Sequence, residues 1–390
     1  MPSFPARTFR TWRPLLGALL ISTHALSQAA APITIGAAEA LTGPAAQYGV
    51  PIRQGFDLAV AEINAAGGVQ GHPLQLLVED EQGKKDQAIN VFKKFIFRDR
   101  VLMLFGPTLS NSMFAAGPIA NAAHVVAFGT SNTATGITDI GPWIFRNSPM
   151  EQDVAPVTLA HAASHYQAHK VAFIYGNDDA FTRSAYDVFR MAAGKSGLAV
   201  VDTETYAKGD VDFKAQLTKI KGSAPDLVIC PCLAEEGANI LLQARSLGLR
   251  APFVGGNGFN SPRLFEIARE AAEGTVVGSP WFDGAATPAN RKFQDAFRAR
   301  YQTPPNQFAA QAYDAMQIVA EALRHTTLSG RLEEDRQAVR DALAQVHIEG
   351  ATGHFEFKRA LPVKDQPGGW DAAQKPFIYL VKGGRFTLLP

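Results

Sequence analysis

Leu102–Asn121 reads LMLFGPTLSNSMFAAGPIAN. Leu102 to Phe105 is an apolar run of a length that suits a buried strand. Gly106-Pro107 breaks it, and a helix follows with Ser110 placed as its N-cap. Such a strand-turn-helix junction aims unpaired backbone N–H groups, and the positive end of a helix dipole, at a crevice. The Ser110 hydroxyl adds a further polar group there. A second stretch, Phe128-Gly129-Thr130-Ser131-Asn132-Thr133, follows another apolar run and repeats the arrangement. Ser and Thr at such places are commonly caps and turn formers. Two adjacent strand ends of one parallel sheet also make the rim of an anion-binding cleft, and the pairing of two hydroxyl-rich turns points to a ligand site.

Outward from this stretch, strands and helices alternate. Ile33 to Ala40 reads as a strand and Leu41-Thr42-Gly43-Pro44 as a turn. In Pro51 to Ala66, Ile52, Phe56, Ala59, Val60 and Ile63 fall at helical spacing, and Gly67-Gly68 stops the helix. Leu74 to Glu79 is a strand and Lys85 to Arg98 a helix. Val125 to Phe128 is a fourth strand. The order β-α-β-α-β-α-β implies a parallel sheet covered on both faces. After Arg146 the pattern restarts. Helices are expected over 153–166, 181–195, 213–221, 235–247 and 262–272, with strands over 171–175, 199–205, 227–230, 253–255 and 275–277. The tail departs from it, with helices over 289–301, 308–324 and 332–345 and short strands over 354–357, 377–381 and 385–388. The 390 residues, 46% hydrophobic and 19% charged, suffice for two cores. No Pro-rich linker separates the two units, so short crossings should join them, an arrangement that suits a hinge.

The first 31 residues read as a bacterial secretory signal. Arg7, Arg10 and Arg13 form a positive segment, Leu15 to Leu26 is apolar, and small residues follow. Cleavage is expected after Ala29 or Ala31. The apolar run is too short for a permanent membrane helix. The formal net charge of +1 implies no polyanionic partner, and with no basic stripe nucleic acid is not expected. Cys230 and Cys232 flank Pro231. A disulfide is allowed in an exported chain, though such a tight loop is strained. A lone C-x-C falls short of a metal site.

Catalytic chemistry is not evident. The sequence has no P-loop, G-x-G-x-x-G, G-x-S-x-G or H-E-x-x-H pattern. His161 and His165 stand four apart on a helix without a third ligand. Asp178 and Asp179 precede a helix and read as capping charge. Asp80 to Gln82 reads as a turn, and His124 has no evident nucleophile or base beside it. No cofactor or metal is expected.

The signal segment, then ITIGAAEALTGPAAQYG, GFDLAVAEINAAGGVQGHPLQLLVED, GPTLS, PDLVICPCLAEEGANILLQARSLGL and AAEG, resembles in order the branched-chain amino-acid-binding (Leu/Ile/Val-binding) family of periplasmic solute receptors. The resemblance spans roughly residues 32–385. It implies a type I periplasmic binding protein, with two Rossmann-like α/β lobes and parallel sheets joined by three hinge crossings. These fall near Arg146-Asn147-Ser148, Val277-Gly278-Ser279 and Gly353-His354. Lobe one is then 32–147 plus 279–353, and lobe two 148–278 plus 354–390. The family closes its lobes on a solute and delivers it to an inner-membrane ABC permease, so a monomeric periplasmic receptor is implied, not an enzyme.

The resemblance also implies roles for residues. Ser110 and Thr133 fall at the positions that hold a ligand carboxylate, with Asn132 offering backbone groups beside them. Tyr48 matches an aromatic residue that covers the ligand. The acid expected to pair with a ligand ammonium is replaced by Asn257, and two expected tyrosines by Phe181 and Leu233. Phe181, Leu233, Trp281 and Phe308 are expected to form an apolar wall in lobe two. A buried ammonium without a charge partner is costly. A small carboxylate with an apolar body, an aromatic or keto acid, is therefore expected as ligand. The alternatives are a branched-chain amino acid and, in another class, a two-lobed ligand-sensing regulator, against which the signal segment speaks.

Overall fold

Strand β1 (Ile33–Glu39) has six of its seven side chains buried. This is why it sits inside a sheet, parallel to β2 (Leu74–Asp80) on one side and to β3 (Leu104–Phe105) on the other. Beyond β3 come β4 (Ala127–Gly129) and β5 (Ile144–Arg146), also parallel. The computed structural model describes residues 1–6, 8, 30–363 and 365–389, so most of the expected signal segment lies outside the described residues. Helices α1 (Ala46–Ala65) and α2 (Lys85–Lys93) flank the sheet, and α3 (Ser110–Ala122) leads from β3 to β4.

The chain crosses to a second sheet after Arg146. Helix α4 (Glu151–Tyr166) precedes β6 (Lys170–Gly176), α5 (Ala180–Lys195), β7 (Ala199–Tyr206) and α6 (Lys214–Ser223). Strand β8 (Leu227–Cys230), α7 (Ala234–Ser246), β9 (Phe253–Gly255), α8 (Arg263–Ala268) and β10 (Val276–Ser279) complete the unit. Strands β6 to β10 are parallel where they pair. Cys230 and Cys232 are joined by a disulfide.

After Ser279 the chain returns to the first lobe through α9 (Pro288–Tyr301), α10 (Gln307–Arg324) and α11 (Leu332–Leu343). Strands β11 (His347–Gly350), β12 (Gly353–Arg359) and β13 (Trp370–Ala373) extend the first sheet to the order β11-β12-β13-β5-β4-β3-β1-β2. Strands β14 (Phe377–Lys382) and β15 (Arg385–Leu388) pair antiparallel at the edge of the second, ordered β15-β14-β10-β9-β8-β6-β7.

The third crossing therefore does not lie at Gly353-His354. β12 and β13 belong to lobe one, and the chain changes sheet only between Ala373 and Phe377. Strands β5, β11 and β13 also escape a sequence reading. Each has three or four residues, too few for a period to register, and pairing fixes them. Both faces of each sheet carry a separate apolar cluster. In lobe one, α1 lies so close against α10 that a Cβ on Gly55 would stand 2.3 Å from the Ala309 carbonyl.

Candidate functional site

Gly106 makes the turn that sets the site. Its φ is +85°, and a Cβ there would lie 2.1 Å from the Ala38 carbonyl oxygen, so only glycine lets β3 leave the sheet this close to β1. Helix α3 then starts at Ser110, with Leu109 as its cap residue. Ser110 is the first helical residue rather than the cap expected from sequence, a shift of one position. The first N–H groups of α3 have no partner within the helix.

The second hydroxyl-rich turn packs against this end. Ser131 Oγ donates to the Thr108 carbonyl at 2.6 Å, and Asn132 Nδ2 to the Pro107 carbonyl at 2.9 Å. The Ala134 N–H reaches Ser110 Oγ at 3.4 Å. Thr133 stands between these contacts, with its buried hydroxyl beside the Glu151 carboxylate. Arg146, fully buried, holds the turn from behind. Its Nη1 donates to the Asn132 and Ala134 carbonyls at 3.1 and 2.8 Å, while Nε donates to Asp371 at 2.6 Å. The first crossing and β13 thus fix the backbone on either side of Thr133.

One cavity between the lobes is lined by Tyr48, Thr108, Leu109, Ser110, Ser131 and Phe308 from lobe one, and by Asp179, Phe181, Leu233, Asn257 and Gly258 from lobe two. The space left inside it, about 30 Å³, is room for a water or two, so the two lobes stand close together around these residues. Tyr48 spans the cleft. Its hydroxyl accepts the Ala234 N–H at 2.8 Å and donates to the Gly258 carbonyl at 3.1 Å, and its ring meets Phe308 edge-on at 5.0 Å. Asn111 on α3 accepts the Ala180 N–H at 2.9 Å and bonds Asp179, while Ser184 accepts the Thr135 N–H at 2.8 Å.

Of the nine residues expected at the site, Tyr48, Ser110, Phe181, Leu233, Asn257 and Phe308 line this cavity. Asn132 and Thr133 stand in the wall behind it, and Asn132 works as scaffold. Phe308 is not on a lobe-two wall: it opens α10, which packs on α1, and so faces Phe181 and Leu233 from the other side. Trp281 is corrected too. It lies in the second crossing, donates its indole N–H to Asn290 at 2.8 Å, packs on Phe293 and does not border the cavity. Asp179 caps α5, accepting the Thr182 N–H at 3.1 Å, as its position before a helix predicts, but it also lines the cavity.

Sequence reasoning missed Glu151. It begins α4 just past the first crossing and is 1% exposed. Its N–H donates to the Thr133 carbonyl at 3.1 Å, and its Oε1 accepts the Asn257 N–H at 3.0 Å. A Cβ on Gly256 would touch both Glu151 Oε1 and the Phe181 ring, so the carboxylate stands behind Phe181 and Asn257 of the lobe-two wall and does not itself border the cavity. Its other oxygen, Oε2, is buried without a partner. Burial pushes the acid up to about 7, against the opposing pull of the Asn257 N–H and the Thr133 hydroxyl. Sequence offers only an acid in a first helical turn, a common helix-start feature. Asn257, in the place expected of an acid, gives its side-chain oxygen to Gln307 Nε2 at 2.6 Å.

Two doubly covered, parallel-dominant sheets meeting around a small cavity at their strand ends define a type I solute-binding protein. The periplasmic binding protein family model matches residues 32–367, and the chain belongs to that family. It is 31% identical over 346 residues, 88% of this chain and 90% of the other, to the leucine-, isoleucine-, valine-, threonine- and alanine-binding protein of Pseudomonas aeruginosa. It is 29% identical over 314 residues, 79% of this chain and 83% of the other, to the Leu/Ile/Val-binding protein of Escherichia coli. A crystal structure of the branched-chain amino-acid transporter substrate-binding protein LivJ from Streptococcus pneumoniae with isoleucine superposes with a TM-score of 0.81 at 28% identity. That match covers 91% of this chain and 97% of LivJ. The family consists of binding proteins of ABC-type transporters, not of enzymes.

The Tyr48 bridge gives a direct expectation. Tyr48→Phe leaves the Ala234 N–H and the Gly258 carbonyl unsatisfied when the lobes are together, a cost of about 1–3 kcal/mol per buried group. Water satisfies them when the lobes part. Ligand affinity is expected to fall roughly 30-fold or more with the melting temperature of the solute-free chain nearly unchanged. Calorimetric titration beside a thermal melt separates the two effects.

Proposed function

We propose that this chain is the exported solute receptor of an ABC importer, and that its solute is an α-amino acid with an apolar side chain. The observation that carries this reading is Ser110 on the cavity wall with Thr133 and Glu151 directly behind it. The α3 N-terminus and the Ser110 hydroxyl suit a carboxylate. Glu151, a buried acid beside the Thr133 hydroxyl, suits an ammonium. Phe181, Leu233 and Phe308 suit an apolar body. The loss of the expected acid at Asn257 is offset by a second acid on a different element. The names of the relatives in Pseudomonas and Escherichia support the same class. Bound solute would be handed to an inner-membrane permease.

A second reading keeps the Ser110 end and drops the amine: an organic acid with an apolar or aromatic body. It rests on Asn257, an amide already engaged with Gln307. The two readings separate on an isosteric pair, leucine and 4-methyl-2-oxopentanoate, titrated calorimetrically at about pH 6 and pH 8. Ammonium binding requires ionised Glu151, which free protein protonates below about 7. Leucine affinity is therefore expected to fall toward acid, by up to about tenfold per pH unit, while keto-acid affinity does not. Binding of the keto acid with no binding of leucine or its relatives would decide for the organic acid.

A further inference from the structure

Asn257 follows β9 and lines the cavity from lobe two. Its side-chain polarity is set from lobe one. Gln307, the first residue of α10 and itself buried, donates from Nε2 to Asn257 Oδ1 at 2.6 Å. Gln307 Oε1 faces Ser279 Oγ, in the second crossing, at 2.9 Å. The same hydroxyl lies 2.9 Å from the Trp281 carbonyl, but the Tyr379 hydroxyl already donates there. The unmet acceptor for the Ser279 proton is therefore Gln307 Oε1, which leaves Gln307 its Nε2 to give to Asn257. The Asn257 backbone N–H is occupied by Glu151 Oε1. The side-chain atom that Asn257 keeps for the cavity is Nδ2, which donates hydrogen bonds and accepts none.

At such an atom an ammonium finds nothing to accept its protons, whereas a carboxylate finds a donor. Asp179, the acid on the same wall, is taken up by the Thr182 N–H and the Asn111 amide. Across the cavity stand Ser110 and the N-terminus of α3. The space between the walls is about 30 Å³, so an anion held at Ser110 lies within reach of Asn257 once the lobes close on it.

We propose that Asn257 is a second ligand of the solute's carboxylate, donating from lobe two while Ser110 holds it from lobe one. Gln307 is the positioning residue that turns the Asn257 amide this way. The carboxylate then bridges the lobes, and closure is tied to the anion. This rests on a carboxylate at Ser110, which both readings of the solute share. The amide at position 257 selects for an anion and against a cation at that point of the wall. Glu151, behind the wall, stays the acid for an ammonium.

Asn257→Asp tests the grip with the change of one atom. The new side chain keeps an oxygen for Gln307 Nε2 and exchanges the donor for a negatively charged acceptor. Whichever of leucine and 4-methyl-2-oxopentanoate binds wild type is expected to bind the variant roughly tenfold or more weakly at about pH 8. The solute-free melting temperature should stay within about 2 °C. Equal or tighter binding overturns the grip, and a gain for leucine would place the ammonium at position 257. Gln307→Met tests the positioning role in a double-variant cycle. It is expected to lower affinity roughly threefold or more in wild type and hardly at all in the Asn257→Asp background. Equal losses in both overturn that role. A third readout needs neither variant nor solute. By NMR the Gln307 side-chain NH2 protons should exchange slowly with water and those of Asn257 fast, and the reverse order overturns the polarity. Which compound binds wild type decides the solute class, and the ratio of variant to wild type decides the grip. Binding of neither removes the carboxylate at Ser110 and the grip with it.

Discussion

Glu151→Gln is expected to weaken binding of an α-amino acid by about 2–5 kcal/mol, roughly 30-fold or more, since it removes the charge partner of a desolvated ammonium. It should leave binding of the matching keto acid unchanged or improved. The effect is specific because the glutamine retains an oxygen for the Asn257 N–H, which Glu151 Oε1 accepts. The same variant has a second readout of opposite sign. Glu151 is raised by burial to about 7, so in wild type its contribution to stability is present at acid pH and lost as pH rises through about 7. Glu151→Gln should therefore melt higher than wild type at pH 8 while binding leucine less well. A variant that binds poorly because it is misfolded would melt lower. Leucine affinity that survives the substitution would assign the ammonium to another group, of which Asp179 is the nearest candidate on the cavity wall.

Asp371→Ala is expected to destabilise the chain by about 3–5 kcal/mol, the cost of leaving a buried charge unpaired, and to lower the melting temperature by roughly 10 °C. Arg146 has no exposed side-chain surface and Asp371 almost none, so water cannot replace the lost partner. Asp371 also accepts the Thr138 hydroxyl. The loss should extend to ligand binding, because Arg146 holds the carbonyls on both sides of Thr133. A thermal melt together with titration of the bound solute checks both parts. A melting temperature within about 2 °C of wild type would mean that the guanidinium finds another partner.

Much of this molecule can be read from the order of its residues. The alternation of apolar runs with amphipathic helices fixed two α/β units, because burial on both faces of a parallel sheet demands continuous apolar strands. The Gly106-Pro107 break followed by Ser110, and its echo at Gly129 to Thr133, marked the strand ends where a ligand would sit, since turn chemistry is local. Phe181, Leu233 and Asn257 were implied by the resemblance to the branched-chain amino-acid-binding family, whose site positions they match.

Other features were decided only when the chain folded. β5, β11 and β13 are too short to carry a period, so only pairing reveals that the third crossing follows Ala373. Phe308 and Trp281 have the same apolar character in sequence, yet packing of α10 on α1 sends one into the cavity and a hydrogen bond to Asn290 holds the other in the core. Glu151 looks like an ordinary acid at an element end. Its chemistry comes from burial and from a neighbour 106 residues away in the chain. Desolvation and charge pairing depend on what surrounds a group in space, and sequence spacing does not encode that.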